Sequence, residues 1–129
     1  MSISENPGSS YMLVRRIGDV AVADTMNISL SNVESIQRWG EEMRGVIDSL
    51  KGNKLVINLG CTDYAPGPIL HVLSSLNHYA ATHKIKLALC EVGEENKKAF
   101  KLTRLNTVMT ITEGERDAIS AVRAHARRK

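Results

Sequence analysis

The chain has 129 residues, 43% of them hydrophobic and 24% charged, which suits one soluble globular domain with a real core. No apolar run approaches the ~20 residues needed to span a bilayer. The opening MSISENPGSS lacks the basic start and apolar centre of a secretory signal, so residues 1–10 read as a flexible leader and the compartment as cytoplasmic.

Much of the net charge of +3 sits in a basic C-terminal tail, 123–129, with Arg123, Arg127, Arg128 and Lys129. Aromatic residues make up 4% and do not interleave with it, so the tail reads as a solvated helix end rather than a nucleic-acid platform.

In chain order, YMLVRRI (11–17) and VAVAD (20–24) flank Gly18-Asp19, the pattern of an antiparallel hairpin. Ser31 and Glu34 have the spacing of a capping box, and the helix that follows buries Val33, Ile36, Met43, Val46, Ile47 and Leu50. Trp39 reads as packing on that helix. KLVINL (54–59) is a near-continuous apolar run, as in a strand covered on both faces.

A bend of Pro66, Gly67 and Pro68 leads to a second helix, whose first turn suits Pro68. Its buried stripe is Ile69, Val72, Leu73, Leu76 and Ala80. KIKLALC (84–90) is a second buried strand. A helix over 94–103 offers Ala99, Phe100 and Leu102 to the core, TVMTI (107–111) is the last strand, and 114–126 closes the chain as a helix burying Ala118, Ile119, Ala121 and Val122. The order β-β-α-β-α-β-α-β-α predicts a single α/β domain: a mixed, mostly parallel sheet of about five strands with helices over it.

In such sheets ligands gather beyond the carboxyl ends of the strands. The loop after 54–59 carries Thr62, Asp63 and Tyr64. It has no Gly-x-x-x-x-Gly-Lys or Gly-x-Gly-x-x-Gly pattern, so a nucleotide site is not expected. His71, His78 and His83 lack the spacing of a zinc set and read as exposed helix residues; no metal or other cofactor is expected. Cys61 and Cys90 are too few for a disulfide framework and read as small buried hydrophobes. No nucleophile has an activating neighbour, so the chain does not read as an enzyme.

Three stretches carry a family resemblance: KLVINLGCTDY (54–64), KIKLALCEVGEENKKAFKLTRLNTVMTI (84–111) and GERDAISAV (114–122). With the element order, they resemble the STAS domain of sulfate transporters and anti-sigma factor antagonists, over residues 11–122. The resemblance implies a non-catalytic regulatory domain that binds a protein partner, either an anti-sigma-like kinase or a sensor assembly, or its own copy. It also implies a partner-binding face of Asp63, Tyr64, Ala65, Pro66, Gly67, Pro68, Ile69 and His71. Two other roles stay open: a cytoplasmic accessory subunit of a membrane transporter, and a small-ligand or nucleotide module near Asp63 and Glu91.

In anti-sigma factor antagonists, a serine in an Asp-Ser-Ser-Gly turn at the start of the second helix is phosphorylated. On this chain the acceptor falls at Gly67 and the next serine at Pro68, so neither hydroxyl is present. Thr62, Ser74 and Ser75 remain as alternative phosphosites. Arg104 stands where the family has glycine after the third helix, which predicts a locally different helix end because arginine resists a left-handed cap.

Overall fold

The computed structural model describes residues 12–25, 33–50, 52–60 and 68–124. Strands β1 (Met12–Ile17) and β2 (Val20–Thr25) form the expected hairpin, with Ile17 opposite Val20. Gly18 turns it with φ of 62°, the left-handed value that a glycine-first two-residue turn needs. Helix α1 (Val33–Ser49) follows, then β3 (Lys54–Asn58), α2 (Pro68–Thr82), β4 (Lys86–Cys90), α3 (Glu94–Leu102), a single turn α4 (Leu105–Val108), β5 (Thr110–Ile111) and α5 (Glu115–Ala124). Ser31, the proposed cap of α1, lies outside the described residues.

The sheet runs β1-β2-β3-β4-β5, with β1 antiparallel and the remaining strands parallel. Because the parallel strands add in sequence order, right-handed crossovers all pass on one side. α1, α2 and α3 therefore share a face, where Ile36, Trp39, Met43, Leu73, Leu76 and Phe100 pack with Leu55, Ile57 and Leu89. α5 returns across the other face, over Val20, Val22, Val56, Ala88 and Cys90.

Three expectations change. The strand foreseen over 107–111 shrinks to Thr110–Ile111, because Leu105 and Met109, four apart and both buried, wind 105–108 into a helical turn. Leu102 is 85% exposed; Leu105 takes the core place expected of it. Arg104 adopts the left-handed conformation after all, at φ 64° and ψ 17°. The bend between α3 and α4 thus keeps a shape suited to glycine while carrying a long cation.

Candidate functional site

The parallel strands β2 to β5 all finish at one edge of the sheet. There Asp24, Asn58 and Cys90 stand in register on neighbouring strands, on the face that α5 covers. Arg15 reaches across from β1. Its Nε donates to Asp24 Oδ2 at 2.5 Å, and its Nη2 donates to Asp24 Oδ1 at 3.0 Å and to Glu115 Oε1 at 2.5 Å. Asn58 Nδ2 donates to the same Glu115 oxygen at 3.3 Å, while Asn58 Oδ1 accepts the Gly60 N–H at 2.7 Å.

Glu115 opens α5, where a carboxylate also answers the helix dipole. The hydrogen bonds to Asp24 and Glu115 raise the Arg15 pKa further above its ordinary value. The network joins the edge hairpin, the central strand and the last helix.

At Gly60 a Cβ would stand 3.0 Å from Asn58 Oδ1 and 3.4 Å from the Glu91 Cβ. Glu91 is itself left-handed at φ 58°, and its N–H donates to the Glu113 carbonyl at 3.1 Å. The chain thus leaves β3 along a tightly fixed path. Cys90 is fully buried, and burial, with Glu115, Glu91 and Asp24 nearby, pushes its thiol up to about 12. A thiol so protonated at neutral pH is no nucleophile.

Of the expected partner-binding residues, Asp63, Tyr64, Ala65, Pro66 and Gly67 lie outside the described residues, as do Cys61 and Thr62. Pro68 opens α2 as foreseen. Ile69 is 2% exposed and sits in the core, its place in the apolar stripe of α2, so it is not part of the exposed surface. His71 and Ser74 are exposed and Ser75 half-buried.

His71 and Ser75 line an open groove between α1 and α2 with Gln37, Glu41, Arg44 and Val72. The helices come close there, since a Cβ on Gly40 would meet Val72 Cγ1 at 2.7 Å. Further along, the Tyr79 hydroxyl donates to Asp48 at 2.5 Å and Arg44 lies 5.0 Å over the Tyr79 ring, clasping the two helices.

The three histidines do not converge. His71 and His78 are exposed, while His83 holds its Nδ1 2.9 Å from the Tyr79 carbonyl. Among the described residues no group of three or more His, Cys, Asp and Glu is placed to hold a metal ion. Sequence reasoning missed Arg15, Asp24, Asn58 and Glu115. The available signal was a polar residue closing each of two otherwise apolar strands, Asp24 and Asn58.

No family model and no curated protein matches the chain in sequence. Solved structures match it over nearly its whole length. An anti-sigma-factor antagonist (STAS) domain protein from Planctomyces limnophilus superposes with a TM-score of 0.72 at 14% identity, covering 87% of this chain and 97% of that one. An anti-sigma factor antagonist from Mycobacterium paratuberculosis gives 0.72 at 19% identity, covering 94% and 99%. The chain has the STAS fold. A third neighbour comes from the stressosome, a signal integration and transduction hub; it gives a TM-score of 0.65 at 14% identity, covering 89% and 99%. Among the described residues no helix is long and apolar enough to cross a membrane.

Proposed function

We propose that the chain is a non-catalytic regulatory module that docks a protein partner through residues 63–68 and the α1–α2 groove. The observation that carries this reading is the groove itself. It is open, it is rimmed by Gln37, Glu41, Arg44, His71 and Ser75, and it adjoins the start of α2. The fold it shares with anti-sigma factor antagonists and a stressosome component supports a signalling role.

The partner is an anti-sigma-like kinase or a sensor assembly, and docking is not switched at residue 67, because Gly67 has no hydroxyl to phosphorylate. The prolines at 66 and 68 fix their own φ angles, which lowers the entropy lost on docking.

Affinity purification with mass spectrometry tests the proposal, comparing wild type with Gly67→Asp and His71→Glu. Both variants add charge, and His71 is exposed. The expected result is that one partner is lost from both, by tenfold or more. Equal recovery of every partner would sink the surface, and recovery of permease subunits would favour the transporter-accessory role instead.

A further inference from the structure

The α3–α4 bend presents apolar side chains to solvent on a rigid support. Leu102 is 85% exposed and Val108 64% exposed, on either side of the left-handed Arg104. The bend is held by N–H donation from Thr103 to the Ala99 carbonyl (3.1 Å), Arg104 to Lys101 (3.2 Å), Thr107 to Arg104 (3.0 Å) and Met109 to Leu105 (3.0 Å). Phe100, Leu105 and Met109 anchor it from beneath. Leu102 and Val108 therefore stand outward from a firmly packed bend.

The bend itself carries charge of one sign, although Glu94, Glu113 and Asp117 line a cleft with Lys98 and Lys101 beside α3. No acidic residue occurs between Glu95 and Glu113. Lys97 is taken up by Glu113, at 2.8 Å, and Glu94. Lys98, Lys101 and Arg104 are exposed and make no ion pair among the described residues. Lys84 adds another cation without an ion pair among the described residues, in a shallow depression that it shares with Thr110, two residues beyond Val108.

From this combination we infer that the α3–α4 bend docks peripherally on an anionic lipid surface. Cations around an aliphatic tip suit a bilayer, where phosphate headgroups meet the charges and Leu102 and Val108 enter the acyl boundary. Nucleic acid would satisfy the cations but gain little from aliphatic side chains, since its bases stack on aromatic ones. A protein partner would need a socket shaped to the bend, whereas lipid deforms around it. The bend precedes β5 and so lies at the edge of the sheet where the parallel strands begin. Lipid bound there leaves the opposite edge, with the β3 exit and the start of α2, facing away.

The test is co-sedimentation of the full chain with vesicles of phosphatidylcholine alone or mixed with phosphatidylglycerol. Binding is expected only to the mixed vesicles and should weaken with salt. Leu102→Ser with Val108→Ser, both on the surface, should weaken it at least tenfold. Arg104→Gly should weaken it about fivefold by removing one charge without lowering the melting temperature, because glycine favours the left-handed bend. That pairing excludes misfolding as the cause.

Three results would overturn the assignment. One is no preference for the anionic vesicles. Another is anionic binding untouched by these substitutions, which would place it in the tail 125–129. The last is an acidic protein captured through Leu102 with no vesicle binding.

Discussion

The two faces of the sheet solve the same problem with different means. On one side α1, α2 and α3 bring large side chains, Trp39, Met43, Leu73 and Phe100, onto Leu55, Ile57 and Leu89. On the other, α5 works alone and sits on mostly smaller residues: Val20, Val22, Val56, Ala88 and Cys90 meet Ala118, Ile119 and Val122. The asymmetry follows from the topology, since sequential parallel strands send every crossover to one side.

A single helix with a thin apolar seam needs something further, and α5 is tied at both ends to the β1–β2 hairpin. Glu115 meets Arg15 at 2.5 Å in its first turn, and Arg123 meets Asp19 at 2.9 Å in its last. One face holds by volume; the other holds by close approach and end clamps.

The most damaging way to probe this contrast is Trp39→Ala. Trp39 is fully buried, and its Nε1 donates to the hydroxyl of Thr25, itself 1% exposed, at 3.2 Å. Truncation leaves a cavity and an unpaired buried hydroxyl, at a cost of about 3–5 kcal/mol. Because Trp39 is the only tryptophan, the denaturation midpoint is read by far-ultraviolet circular dichroism. A loss under about 1 kcal/mol would show that this face does not hold by volume.

The converse test fills the thin face. Ala118→Leu places three more carbons where α5 presses on the sheet, and overpacking of this kind costs about 1–3 kcal/mol. A neutral or stabilising result in the same measurement would mean that α5 has room to rise, and the contrast between the faces would fail.

Much of this arrangement was legible in the residues. Val20 to Ala23 and Leu55 to Ile57 are apolar because those strands are covered on both sides, and that run length separates them from helices. The end of α3 was harder. Thr107, Val108 and Thr110 are β-branched and imitate a strand, but burial of Leu105 and Met109 overrides that preference and yields α4.

Arg104 shows the same override, taking a conformation its side chain disfavours because the packed helices on either side dictate the turn. The Arg15–Asp24–Asn58–Glu115 network joins residues up to 100 positions apart, so no local spacing announces it. In the candidate site, His71 was readable as an exposed position on α2. Ile69 could be core or contact, and the helical period puts it in the core.

The mildest probe addresses the end clamp and is read by pH. Arg123 Nε donates to Asp19 Oδ1 at 2.9 Å and Lys54 Nζ lies 3.3 Å from Oδ2. The bond from Arg123 foremost, then that from Lys54, holds the Asp19 carboxyl below its ordinary value. A carboxylate with a depressed folded pKa adds stability that is complete above its unfolded value, about 3.9, and is lost as the pH falls through the folded one.

Arg123→Ala removes the main cause. Wild type should therefore be the more stable protein near neutrality, and the two stability curves should converge as acid protonates Asp19. The pair is solvent-exposed, so the gap should be small and should shrink with added salt. Chemical denaturation at a series of pH values, at low and high ionic strength, reads it directly. Parallel curves with no convergence would show that Arg123 acts by packing over the Gly18 turn, where its Nη2 lies 2.6 Å from the site of a glycine Cβ, and that the charge pair is incidental.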